Sequence, residues 1–153
     1  MMHNWFECKI RYNKVMDDGA SKKVTESYLV DALSFTEAEA RIIEESKPFI
    51  SGEFTVSDIK RANYSELFPC EDIDSDKWFK VKINYLTIDE KSGKEKKSPI
   101  YVLVQAESVE DAKNKTDTGM KGTMADYEIE SISETKILDV YPYKSKEDEK
   151  QEN

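Results

Sequence analysis

This chain is written twice. Trp5-Phe6-Glu7-Cys8-Lys9-Ile10-Arg11-Tyr12 returns as Trp78-Phe79-Lys80-Val81-Lys82-Ile83-Asn84-Tyr85, 73 positions later. Leu29-Val30-Asp31-Ala32-Leu33-Ser34 pairs with Leu103-Val104-Gln105-Ala106-Glu107-Ser108, and Ala38 pairs with Ala112. Phe54, Val56 and Ile59 match Tyr127, Ile129 and Ile132, and Leu67-Phe68-Pro69 matches Val140-Tyr141-Pro142. The offset stays within one residue of 73 throughout. One single-residue indel near the hairpin and another after the helix account for every shift. Internal similarity that keeps such phase is the mark of a duplicated supersecondary unit, and each element can be read in two versions.

In both versions the first strand alternates. Phe6, Cys8, Ile10 and Tyr12 share one face, as do Phe79, Val81, Ile83 and Tyr85. Trp5, Glu7, Lys9 and Arg11, and likewise Trp78, Lys80, Lys82 and Asn84, project from the other, so only one face is clearly apolar. The turns Asp17-Asp18-Gly19 and Lys91-Ser92-Gly93 offer a glycine for a positive φ, which suits a hairpin with a short bulged loop. The returning strand carries Tyr28, Val30 and Ala32 in one unit and Val102, Val104 and Ala106 in the other. Ser34 and Ser108 then cap helices, each followed three residues later by an acid, Glu37 or Asp111. Positions 35, 38, 42, 46 and 49 form the inward stripe of the first helix, which Pro48 ends; the second helix is more polar and stops at Gly119. A third strand opens at Phe54 or Tyr127. It needs a bend or bulge, because Val56 to Ile59, like Ile129 to Ile132, breaks strict alternation.

The pattern predicts an α+β protein, a tandem duplication of a β-β-α-β(-β) unit with antiparallel sheets, one helix per unit and pseudo-twofold symmetry. Residues 1–70 make the first unit, 71–77 an acidic linker, 78–143 the second unit and 144–153 a charged, disordered tail.

The opening Trp5-Phe6-Glu7-Cys8-Lys9, the run from Tyr28 to Ala40 and the run from Met120 to Ile129 carry a resemblance. They look like an uncharacterised domain-of-unknown-function family found in Bacteroidetes and their phages, over nearly the whole chain apart from the tail. The resemblance implies a bacterial or phage cytoplasmic setting. It brings no assigned activity and no functional residue.

Composition narrows the function classes. A formal net charge of −9 gives no basic field to attract phosphate backbones or anionic membranes at long range, although a local basic patch stays open. No stretch approaches a membrane span, and the first residues lack a secretory layout, so the expected location is cytoplasmic. Cys8 and Cys70 form no CxxC pair and read as reduced thiols. The single histidine, His3, stands at the mobile start of the chain, and phosphate-loop and dinucleotide signatures are absent. Asp72, Asp74 and Asp76 open like a calcium loop, but Lys77 stands where the tight-turn glycine belongs and Ile83 where the bidentate glutamate belongs. The expectation is therefore no enzyme, no metal and no cofactor.

What remains is binding. The leading expectation is a non-catalytic binding or adaptor protein whose partner is another protein. The alternative is a weak single-stranded DNA or RNA binder. Trp5 beside Lys9 and Arg11, and Trp78 beside Lys80 and Lys82, interleave flat rings with cations, as a base-stacking, phosphate-pairing platform requires. The competing structural reading packs both indoles between the halves and pairs the cations with acids across the sheet. A further charged feature, Lys94-Glu95-Lys96-Lys97 with its counterpart Ser21-Lys22-Lys23, reads as solvated hairpin tips.

Overall fold

The computed structural model describes residues 4–143. The strands and helices follow one another as β1 (Trp5–Val15), β2 (Ser21–Asp31), α1 (Phe35–Ser46), β3 (Phe54–Ala62) and β4 (Glu66–Phe68). The same order then recurs as β5 (Lys77–Ile88), β6 (Glu95–Ala106), α2 (Val109–Gly119), β7 (Asp126–Glu134) and β8 (Ile137–Tyr141). The class is α+β, with two helices and two mixed four-stranded sheets. The expected charged tail, residues 144–153, and His3 fall outside the described residues.

Local chemistry explains most boundaries. Gly19 and Gly93 take φ of 84° and 72° in the two hairpin loops, a region that side chains with a Cβ rarely adopt. At the start of α1 the Ser34 hydroxyl accepts from the Glu37 N–H at 3.1 Å, while the Glu37 carboxylate accepts from the Leu33 N–H at 3.3 Å. Ser108 and Asp111 repeat this at α2, with Glu107 as the outer donor. Each cap satisfies N–H groups that a helix start leaves open, at about 1 kcal/mol per cap.

The apolar strand faces meet these helices. Phe6, Cys8, Ile10, Val30, Ala32, Ala38 and Ile42 form the core of the first unit. Phe79, Val81, Ile83, Val102, Val104, Ala106 and Ala112 form that of the second. The inward stripe of α1 departs from expectation at both ends. Phe35 is half exposed and Phe49 is 78% exposed, while Ile50 is buried in its place. Pro48 breaks the helical phase, and the N–H groups of Phe49 and Ile50 both donate to the Ser46 carbonyl in a turn.

The bulges fall where alternation fails. Lys9 faces Asp58 across the β1–β3 pair and Ile10 faces Val56, which leaves Ser57 as the extra residue. Lys82 faces Ser131 and Ile83 faces Ile129, which leaves Glu130 extra in β7.

The antiparallel expectation is corrected at one edge of each sheet. The strand orders are β3-β1-β2-β8 and β4-β6-β5-β7; β8 runs parallel to β2, and β4 runs parallel to β6. The short fourth strands thus exchange sheets. The reason is directional. Since β2 and β3 are both antiparallel to β1, they point the same way. A fourth strand parallel to β2 in that sheet would need a crossover of about a dozen residues after β3. Only residues 63–65 separate β3 from β4, and the Ser65 N–H donates to the Tyr101 carbonyl as the chain joins β6. Residues 135–136 between β7 and β8 meet the same restriction. The described residues up to Ala62 with those from Ile137 form one compact unit, and Asn63–Lys136 form the other.

Candidate functional site

The six residues singled out as a nucleic-acid platform do not form an exposed aromatic surface. Trp5 is 6% exposed and Trp78 4% exposed. Leu29 and Leu103, on the same strand faces as these indoles, are fully buried. A base cannot stack on a ring closed to solvent, so the expected ring-and-cation arrangement is not presented. The cations themselves stay accessible: Arg11 and Lys80 are exposed, Lys9 and Lys82 half-buried.

The two units treat these cations differently. In the second, the bulged Glu130 reaches Lys82 at 2.6 Å. Glu128 takes Lys97 at 2.9 Å and accepts from the Asn84 amide at 3.1 Å. The Glu130 hydrogen bond holds the Lys82 ammonium above its ordinary value, and Lys82 in turn holds the Glu130 carboxyl below the usual carboxylate range. Lys80 lies 4.6 Å from the centroid of the Tyr101 ring. In the first unit the corresponding bulge residue is Ser57, whose hydroxyl donates to the Lys9 carbonyl at 3.3 Å. Thr55, opposite Arg11, holds the place that Glu128 holds opposite Asn84. Arg11 Nε donates to the Thr25 hydroxyl at 3.5 Å. Among the described residues, neither Lys9 nor Arg11 makes an ion pair.

A separate polar cluster lies in the second unit, where the acidic linker folds beside the start of α2. A cleft of about 250 Å3 is lined by Asp72, Ile73, Asp74, Ser75, Glu107, Asp111 and Lys115. Lys115 donates to the Ser75 hydroxyl at 2.7 Å and pairs with Asp111 at 2.9 Å. The Cys70 N–H donates to the Gln105 side chain at 2.9 Å. The Ser75 hydroxyl, the Asp72 backbone and Lys115 converge on the Cys70 thiol and lower its pKa. Burial pulls the Lys115 ammonium down, but Asp111 and Cys70 outweigh it and hold Lys115 above its ordinary value. Cys8 is the opposite case: burial first, then Glu7 and Asp58, push its thiol up to about 12. Among the described residues no group of three His, Cys, Asp or Glu side chains is placed to hold a metal ion.

The sequence reading missed this cluster. Its members come from the linker, the end of β6 and α2, and no local spacing joins them. The Ser57 and Glu130 contrast was open to reading, since both follow from aligning the third strands around one bulge.

These features define an α+β protein of two compact units, each a four-stranded mixed sheet with one helix. The chain belongs to the family described as Domain of unknown function (DUF4494), which matches residues 4–143. No curated protein and no solved structure matches it. No helix among the described residues is long and apolar enough to cross a membrane.

Proposed function

We propose that this chain is a non-catalytic binding protein that holds an extended segment of a partner protein against an open sheet edge. The third strand of the first unit carries the proposal. β3 is nine residues long, bonds to β1 on one side, and has no described strand on the other. Its outer row of N–H and C=O groups is what strand addition uses, with backbone hydrogen bonds supplying affinity and neighbouring side chains supplying selectivity. The chain already completes both sheets by pairing short strands from distant sequence, β8 on β2 and β4 on β6. β7 is equally open, but its Glu128, Glu130 and Glu134 are committed to Lys97, Lys82 and Lys77. The buried indoles weigh against base stacking as the main mode of binding.

The proposal includes a tandem duplication as the origin of the two units. Support comes from the common strand order and from bulges at matching registers. The working setting is the cytoplasm of a bacterium of the Bacteroidetes, with the chain encoded by the bacterium or by its phage, for which the sequence resemblance speaks.

The test places a photo-cross-linking residue at Thr55 in β3 and, separately, at Glu44 on the exposed side of α1. One partner protein is expected from the β3 probe and none from the helix probe. That partner, purified and added back, should slow amide hydrogen exchange along Phe54–Ala62. Equal cross-linking from both probes, or a bound partner that leaves β3 exchange unchanged, overturns the proposal.

A further inference from the structure

The unequal treatment of the two cation faces identifies the chemistry of the partner. Around the β3 bulge the first unit presents Lys9 and Arg11 from β1 and Lys23 from β2, among the hydroxyls of Thr25, Thr55 and Ser57. By register, Lys9 lies between Ser27 and Asp58, Arg11 between Thr25 and Thr55, and Lys23 opposite Asn13. The only carboxylate in these rows is Asp58, and it makes no ion pair with Lys9 within 4.0 Å. One row further along β1, Glu7 is engaged by Lys60 at 3.1 Å.

The second unit shows what such a face accepts. There the third strand supplies carboxylates at alternate positions, Glu128 and Glu130, and these take Lys82 of the adjacent β5 and Lys97 of β6, one strand further in. Alternate residues of a strand lie about 7 Å apart, which is also the spacing of Lys9 and Arg11 along β1. The first unit has the cations, but its third strand sets Thr55 and Ser57 where the second has Glu128 and Glu130, and its one carboxylate in these rows, Asp58, pairs with neither Lys9 nor Arg11.

From this contrast we infer that the first unit binds an extended acidic segment, with Glu or Asp at every second residue, laid along the open edge of β3. This rests on the strand-addition reading above and adds the partner's chemistry to it. A strand added outside β3 lies about 10 Å from β1, two strand spacings away. Thr55 and Ser57 are short, so Lys9 and Arg11 can lean across β3 while glutamates lean inward to meet them. In the second unit the bulged Glu130 closes that path. A net-acidic chain repels acidic segments at long range, so binding depends on this local register and weakens as salt screens the pairs.

The probe is a labelled nine-residue peptide with glutamate at alternate positions and Thr or Val between. It is compared by fluorescence anisotropy with a peptide of the same composition whose glutamates are clustered at one end, and with a single-stranded oligothymidylate. The alternating peptide is expected to bind about tenfold more tightly than either competitor, and less tightly as salt rises. Ser57→Glu places a carboxylate where the second unit has one and should weaken binding about tenfold; Lys9→Gln with Arg11→Gln should do the same without adding charge to the bulge. Conversely, Glu128→Thr with Glu130→Ser should free the second face and raise the peptide stoichiometry from one to two per chain. Circular dichroism confirms the fold of each variant.

Equal affinity for the clustered peptide, unchanged binding by both first-unit variants, or tighter binding of the oligonucleotide overturns the inference. If a partner without acidic residues still protects β3 from exchange, strand addition stands and the acidic register falls. If no partner and no peptide protects β3, both fall.

Discussion

Replacing Gly119 by alanine tests the strand exchange through a single methyl group. Gly119 is the last residue of α2 and does not take a positive φ, so its backbone accepts alanine without strain. Helix preference alone would favour alanine by up to about 1 kcal/mol. The added Cβ would stand 2.7 Å from Cζ, 2.8 Å from Cε1 and 2.9 Å from Cε2 of Phe68. That ring belongs to β4 and is half-buried against the second core, so it can yield only in part. Forcing a methyl into such a contact costs about 1–3 kcal/mol, and the net expectation is a loss of about 1 kcal/mol. Urea unfolding of the variant, with an unchanged slope, would measure it. In a Phe68→Leu background the same substitution should become neutral or stabilising, with a coupling of about 1 kcal/mol across the cycle. A gain of about 1 kcal/mol in the parent chain would refute the reasoning, because it would mean that the Phe68 ring of β4 does not stand against the end of α2.

Ile10→Asp and Ile83→Asp should each cost more than about 4 kcal/mol, since both sites are fully buried, whereas Lys9→Ala should stay within about 0.5 kcal/mol; equal urea midpoint shifts for all three would reverse the strand faces. Trp78→Ala should cost about 3–5 kcal/mol of stability, and oligothymidylate should leave the tryptophan fluorescence of the parent chain unchanged. In the folded protein iodoacetamide should modify Cys70 and spare Cys8, because the first thiol ionises more readily than usual and the second only near 12. Ser75→Ala removes the leading stabiliser of the Cys70 thiolate, so the rise of its alkylation rate should move to higher pH; an unmoved profile would show that the hydroxyl does not reach the sulfur.

The strand faces toward the helices were legible because a period of two is hard to mistake when it occurs in two versions. Phe6, Cys8 and Ile10 and then Phe79, Val81 and Ile83 alternate with polar residues, and all six are buried. The bulges were legible for a related reason: one extra residue between Val56 and Ile59 cannot be absorbed by a regular ladder. The destination of the fourth strand was not. Leu67-Phe68 and Val140-Tyr141 read as short apolar strands, and nothing in their residue types says which sheet receives them. That choice follows from strand direction and link length, which become known only when the pairing of the first three strands is known.

Alternation reports the side a residue faces, not whether that side is covered, and this is why the tryptophans were open to two readings. Leu29, between the core-facing Tyr28 and Val30, and Leu103, between Val102 and Val104, share the side of Trp5 and Trp78. Two leucines in phase with two tryptophans already outline a second apolar patch, and all four side chains are buried. The cations further along the same strands obey different physics, because a lysine or arginine is held by whatever charge its neighbouring strand offers. Where the bulge carries Glu130 the lysine is occupied; where it carries Ser57 the cations remain available. Positions that agree between the units, such as Ile10 and Ile83, therefore explain the fold. Two positions that disagree, Ser57 against Glu130 and Thr55 against Glu128, are where one unit keeps charges available that the other has spent on itself.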